Sequence, residues 1–351
     1  VRIAIAPGYD ISRVIKGGWQ LAGDHGAIDR DQAIVDMAAF VESGITTFDC
    51  ADIYTDVEAL IGGFRARYPL LAGGTQVHTK FVPDLAMLEK LDGGDIERGI
   101  DRSLQRLGLE RLDLVQFHWW DYAVPGYVEA ALELERLRRA GKIAHIGLTN
   151  FDVPRTAEIL SAGVPVISMQ LQYSLLDERP DNGMIDLCSK HGIAVICYGT
   201  VAGGFLSERW AGCREPGPDL VNRSLIKYKL IIEDFGGWDL FQDLLRTLER
   251  IAVRHRCDIA TVASRLMLDR PGVAAVIIGA TNAAHLGAHR RLADLRLDEQ
   301  DAAAVRRVLA ARSGPVGDVY SLERDRGGRH GRIMKYDLAG LEAGVAGGEG
   351  G

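Results

Sequence analysis

The chain has 351 residues, 47% hydrophobic and 25% charged, an ordinary composition for a globular protein. A net charge of −7 gives nucleic-acid binding no electrostatic support, and no apolar run reaches the roughly 18 residues needed to span a bilayer. The N-terminus shows no charged-then-apolar targeting pattern. The five cysteines (Cys50, Cys188, Cys197, Cys213, Cys257) form no C-x-x-C pair, so they read as the reduced set of a cytoplasmic protein with no metal centre.

In chain order, residues 11–19 predict a strand ending in Gly17-Gly18. Asp29 and Gln32 predict a capping box for a helix whose apolar face is Ile34, Met37, Ala38 and Val41, with Gly44 as its stop. Thr46, Thr47 and Phe48 form a short β-prone run that ends at Asp49. A turn leads on to Tyr54 and to a helix over 57–67. A strand over 77–81 places Lys80 at its tip. Asp95 is expected to cap a helix with Ile96, Ile100, Leu104 and Leu107 on one face, closed by Gly108. The strand over 112–117 leads into His118. Beyond it come a helix (126–140), a strand (143–148), a short helix (154–162), a strand (166–171), a helix (184–191) and a strand (194–198). Residues 199–237 have no clean period and read as a loop with some ordered pieces. Helices over 239–255 and 258–269, a strand over 273–278 and a helix over 298–311 complete the pattern. The tail from Ser313 is mixed, and the glycine-rich residues 339–351 are expected to be disordered.

Eight strands alternating with helices predict an α/β protein, a single-domain (β/α)8 TIM barrel over 1–338 with long loops at its C-terminal face. A doubly wound sheet would carry G-x-G-x-x-G after its first strand, and G-G-W-Q-L-A-G does not match. Asp49, Tyr54, Lys80 and His118 fall at three successive strand ends, where such barrels hold their chemistry. Singly, each has a plain structural reading: an ion pair, a packed phenol, a core histidine. Together at consecutive strand ends they describe a site.

The motifs D-C-A-D-I-Y (Asp49, Tyr54), T-K-F (Lys80), Q-F-H (His118), G-L-T-N-F (Thr149, Asn150), Q-L-Q-Y-S (Gln170, Tyr173), Y-G-T-V-A-G-G-F-L-S (198–207) and V-I-I-G-A (276–280) occur in that order. Together they resemble the aldo-keto reductase superfamily over nearly the whole chain. The long 198–207 motif is most similar to the bacterial and Kv-channel-β-like branch. The resemblance implies a nicotinamide-dependent oxidoreductase (a carbonyl reductase or alcohol dehydrogenase) with Asp49, Tyr54, Lys80 and His118 as its tetrad. It also implies cofactor contacts from Gly18, Trp19, Asp49, Thr149, Asn150, Gln170, Tyr198, Gly199, Thr200, Gly203, Gly204, Gly279, Ala280, Thr281, His285 and His289. NADP(H) is favoured by family precedent, with NAD(H) open. The strong clamp that reads the 2′-phosphate in many members is missing, since Gly279-Ala280, His285 and His289 occupy its places; the remaining candidates are the amide-rich start of the following helix, with Thr281, Asn282, His285 and His289, and Arg290 or Arg291.

The chemistry can be argued from the residues. Hydride transfer to a carbonyl leaves negative charge on oxygen, which must be protonated and stabilised. Tyr54 can be both acid and base. Lys80 would lower its pKa from about 10, Asp49 would hold Lys80, and His118 would offer a neutral ring N–H to the substrate oxygen. Trp19, Phe81, Trp119 and Trp120 are expected to wall an apolar substrate pocket. The expected partner is a small carbonyl or alcohol, in a monomer or homo-oligomer. Oxidation of a sugar or cyclic hemiacetal, with Tyr54 as base, is one alternative. A cofactor-sensing regulatory subunit is another. Residues 223–238 and 318–336 are unlike short connections and read as covers over the mouth or as self-association surfaces.

Overall fold

A computed structural model describes residues 1–22, 28–217, 220 and 222–338. The glycine-rich 339–351 lie outside these. Eight parallel strands close into a barrel: β3 (Val14–Gly17), β4 (Thr47–Asp49), β5 (Gln76–Phe81), β6 (Leu112–Phe117), β7 (Ile143–Thr149), β8 (Val166–Gln172), β9 (Ala194–Tyr198) and β10 (Val273–Gly279), with β10 pairing back onto β3. A short hairpin, β1 (Arg2–Ala6) and β2 (Tyr9–Ser12), precedes them. The single strand expected over 11–19 contains all of β3 and, before it, only the last two residues of β2. The hairpin closes the N-terminal end of the barrel, where Ile5, Tyr9 and Ile11 pack on Ile15, Ile196 and Ala275. Tyr9 lies 4.5 Å, centroid to centroid, from the His145 ring.

Around the barrel run α1 (Arg30–Glu42), α2 (Val57–Arg67), the short α3 (Pro69–Ala72), α4 (Gly93–Leu107), α5 (Tyr127–Arg139), α6 (Val153–Ser161) and α7 (Met184–His191). They continue with α8 (Arg223–Phe235), α9 (Gly237–His255), α10 (Ile259–Leu268), α11 (Leu286–Asp294), α12 (Glu299–Leu309) and the single turn α13 (Ser321–Arg324). Three local expectations change. Asp29 does cap α1, accepting from Gln32 N at 3.0 Å, but the Gln32 side chain reaches forward to Asp36 instead of back to the cap. The cap of α4 is Asp92, with Asp95 as its reciprocal partner three residues on. The reason is that Gly93 and Gly94 are taken into the first turn. The supposed loop 199–237 contains the thirteen-residue helix α8, capped by Asn222 and buried through Leu225, Tyr228, Ile231, Ile232 and Phe235.

The tail is ordered through residue 338. Val319, Tyr320 and Glu323 are buried. The Tyr336 hydroxyl donates to the carbonyls of Glu323 and Gly331, and Leu338 N donates to Asp84 at 2.8 Å. Arg329 and His330 pair with Asp234 of α8. Helix α8 and the tail thus form one cover over the C-terminal end of the barrel. Among the described residues, no helix is long and apolar enough to cross a membrane.

Candidate active site

Parallel register sets the site. Asp49 stands beside Gly17 and His78, Lys80 beside Gln116, and Thr149 beside Gln170. Asp49 and Lys80 both point inward. Their ion pair is 2.6 Å long with side chains 4% and 7% exposed, enough seclusion that the charges are little screened. Lys80 also donates to the Cys50 carbonyl at 2.8 Å. The second Asp49 oxygen accepts from Gln116 at 3.0 Å and Gln170 at 2.5 Å. Burial alone would push Lys80 toward neutrality, but Asp49 reverses that and keeps its pKa above the ordinary value. Lys80 Nζ lies 5.0 Å from the centre of the Tyr54 ring.

Tyr54 departs from the expected direction. Burial is the larger influence and holds its pKa above the ordinary phenol value, while Lys80 acts against it. The resting side chain is therefore a protonated acid. Trp19 meets its ring edge-on at 5.1 Å.

His118 also differs from expectation. Its Nδ1 is 3.1 Å from the Thr149 carbonyl. A carbonyl only accepts, so Nδ1 carries the hydrogen. Burial, aided by the nearby charge of Arg324, brings the imidazole pKa down to about 3, so the ring is neutral. Nε2 is then a bare lone pair, buried and unpartnered. It is fitted to accept from a hydroxyl, not to donate to a carbonyl oxygen.

Of the expected pocket walls, two lie at the site. Trp19 faces Tyr54, and Trp120 meets His118 edge-on at 4.3 Å. Phe81 and Trp119 do not. Strand alternation turns Phe81 outward because Lys80 points in; its ring stacks on Phe117 and lies against Gly99 of α4, where a Cβ would come within 2.8 Å. Trp119 is 1% exposed and donates its indole N–H to the carbonyls of Asp121 and Val124. It is a corner of the following loop.

The residues assigned to the cofactor divide similarly. Asn150 has φ 60° and its side-chain carbonyl accepts from Tyr198 at 2.8 Å, which turns its amide N–H groups away from that bond. The Thr149 backbone carbonyl serves His118. Gln170 commits its amide nitrogen to Asp49 and Gln116. Gly18 N donates to Asp49 O at 2.7 Å, and a Cβ there would strike Val57 at 2.6 Å. Thr200 points away, sharing a 2.9 Å bond with Ser264 of α10. Gly199 and Gly203 are needed for a different contact, because a Cβ on them would come within 2.1 and 2.8 Å of Tyr228 on α8. Gly204, at φ 102°, faces open space. Gly279 makes room for Gln20. Thr281 and His285 are exposed. His289 stacks on Phe40 and, through burial with His285 beside it, has its pKa lowered to about 4. The Ala280 carbonyl accepts from Lys16 at 3.0 Å. Lys16 is a buried cation, brought down to about 8 by burial, that sequence reasoning passed over.

Also missed were Gln116, Lys227, Tyr228, Tyr320 and Arg324. The Lys227 ammonium lies 5.4, 5.7 and 5.4 Å from the ring centres of Tyr198, Tyr228 and Tyr320. Tyr320 packs edge-on against His118 at 5.7 Å. Unpaired buried polar atoms gather at the mouth: His118 Nε2, Trp120 Nε1 and Arg324 Nε and Nη1. Such atoms ask for a partner. Together with the amide nitrogen of Asn150 and the flat face of Tyr198 they fit a polar ligand with a planar ring. Among the described residues there is no cluster of metal-ligating side chains, and the five cysteines are free.

A closed parallel barrel with a buried acid–lysine pair under a tyrosine, beside a histidine, defines a class. The chain belongs to the aldo/keto reductase family, whose model matches residues 13–310, and it is an oxidoreductase of that family. It is 28% identical over 299 residues to flagellar radial spoke protein 5 of Chlamydomonas reinhardtii, covering 68% of this chain and 56% of that protein. It is 25% identical over 323 residues to the NADH-specific methylglyoxal reductase of Escherichia coli, covering 86% and 95%. The structure of a glycerol dehydrogenase from Gluconobacter oxydans superposes with a TM-score of 0.76 at 24% identity, over 90% of this chain and 97% of that one, a likeness of fold.

Proposed function

We propose that this protein is a NAD(P)(H)-dependent reductase that converts an aldehyde or ketone to an alcohol, with Tyr54 as the proton donor. The observation that carries this reading is the buried Asp49–Lys80 pair directly beneath Tyr54 at the barrel rim. A bound nicotinamide dinucleotide would supply the hydride. Asn150 and the ring of Tyr198 are suited to hold its carboxamide and planar ring, with Trp19 on the rim. Tyr54 gives its proton to the substrate oxygen as charge develops there. Lys80, always cationic beside Asp49, favours the phenolate that remains. The new hydroxyl then finds an acceptor in His118 Nε2.

A phenol held above its ordinary pKa rests with the proton that reduction of a carbonyl uses, whereas oxidation of a sugar or hemiacetal by the same groups starts from the phenolate. The test is steady-state turnover of a panel of aldehydes and ketones with NADH and NADPH, in the wild type and in Tyr54→Phe. The variant should lose on the order of 10² or more in kcat while binding cofactor within about threefold. Near-normal turnover by Tyr54→Phe would overturn the assignment.

A further inference from the structure

Residues 311–338 lie beyond the span the family model covers, yet they reach into the mouth of the barrel. Tyr320, at φ 59°, sets its ring against His118, and Arg324 stacks on both Tyr122 and Tyr320, with ring-centre distances of 4.2 and 5.3 Å. Arg324 Nη2 donates to the Trp119 carbonyl at 2.9 Å. Its Nε and Nη1 are buried without a partner. No carboxylate among the described residues stands within ion-pair distance of it, although the next acid, Glu323, is two-fold bonded to Arg179. A second cation, Lys227, lies 5.4 Å from the centre of the Tyr320 ring. A guanidinium with desolvated, unused donors is costly unless an anion completes it.

We propose that Arg324 reads an anionic group on the substrate, so that this mouth selects carbonyl compounds that also carry a carboxylate. The inference rests on the reductase reading above and names its substrate class. The donors that would meet the carboxylate are Nε and Nη1, and the flanking Tyr122 and Tyr320 rings fix the plane of the guanidinium, which lowers the entropy lost on binding.

Matched substrates test this: ω-oxo acids of three to six carbons and their neutral methyl esters, compared by kcat/KM in the wild type, Arg324→Met and Arg324→Lys. The wild type should prefer the best acid over its ester by about 10- to 100-fold, chiefly through KM, the range expected of a charge-assisted hydrogen bond. Arg324→Met should bring that ratio close to one, and Arg324→Lys should restore part of it. A ratio near one in the wild type, or an unchanged ratio in Arg324→Met, overturns the proposal while leaving the reductase reading intact, since the esters still report turnover. If Arg324→Met does not fold, competitive inhibition of ester reduction decides: succinate should inhibit at least 10-fold more strongly than its dimethyl ester, and equal inhibition overturns the proposal. Absence of turnover with every acid and ester would count against the reductase reading, and thermal shifts then decide. Succinate should raise the melting temperature and its dimethyl ester should not; equal shifts overturn the proposal.

Discussion

Tyr54 sits between two opposing influences, burial that raises its pKa and the Lys80 charge that lowers it. Lys80→Met removes only the second, so the rising limb of the pH–rate profile for alcohol oxidation, where Tyr54 must be deprotonated, should move to higher pH. An unmoved limb would mean that Lys80 does not act on Tyr54. Asp49→Asn weakens the same cation, so the double variant should fall well short of the sum of the single losses; additive losses in kcat/KM would separate the two roles. Gly199 makes a different point. It is expected to contact the cofactor, and a Cβ on it would meet the hydroxyl of Tyr228. Gly199→Ala should therefore cost stability, by about 1–3 kcal/mol from overpacking and a positive φ of 77°. Tyr228→Phe, which deletes the clashing oxygen, should recover part of it in denaturant melts. No recovery would show that the backbone, and not the contact, demands the glycine.

Among the elements, the tail and α8 have the most consequence. Arg179, 2% exposed, bonds both Asp177 and Glu323 and so ties the end of β8 to α13. Burial alone would raise the Glu323 pKa, but Arg179 and Lys227 overcome that and hold it at about 2. The folded value lies below the ordinary 4.5. Its stabilisation is therefore complete above pH 4.5 and is lost as the pH falls from there toward 2. Acid should loosen the tail in this window, read as new protease cleavage within 313–338; a tail resistant at pH 3 would contradict this. Arg179→Met leaves two buried carboxylates unpaired and should cost about 3–5 kcal/mol. The sequence already contained the signal for α8. Leu225, Tyr228, Ile231, Ile232 and Phe235 recur at helical spacing behind an asparagine cap. Ile226 and Leu230 fill in other faces of the helix and blur the period, so the stretch read as irregular. Helix α11 is weakly marked in the sequence for the opposite reason, since Leu292 is its only buried side chain.

Across the whole molecule, the loop after β10, where the adenosine end of the cofactor is expected, shows how little of recognition local sequence reveals. The exposed His285 and the packed His289 stand where an arginine reader was absent. With its pKa near 4, His289 is uncharged from pH 6 to 8 and gives no pH-dependent preference over that range. The buried cation there is Lys16, brought down to about 8 and held under the loop by the carbonyls of Gly17 and Ala280. The prediction is that its field favours the additional phosphate of NADPH below pH 8 and fades above it. Discrimination between NADPH and NADH should stay within about 100-fold in kcat/KM, roughly 3 kcal/mol, and decline as the pH rises through 8. Kinetics with both cofactors at pH 7 and pH 9 check this; a 10⁴-fold preference at both values would require a cation elsewhere.

The sequence by itself determined the barrel and the four residues at its rim. Alternation of short apolar strands with amphipathic helices is a local, periodic signal, and the tip of each strand is legible from where that period stops. It also determined that Asp49, Tyr54, Lys80 and His118 share one end of the barrel, because parallel strands present their C-termini to the same side. Only the tertiary structure decided which way neighbouring side chains turn, as with inward Lys80 and outward Phe81. The tautomer of His118 was settled by a carbonyl from the neighbouring strand β7. The cover of α8 and tail was also beyond the sequence: Tyr228 reaches Gly199, and Tyr320 reaches His118. Those contacts join residues far apart in the chain, and no window of sequence carries the distance between them.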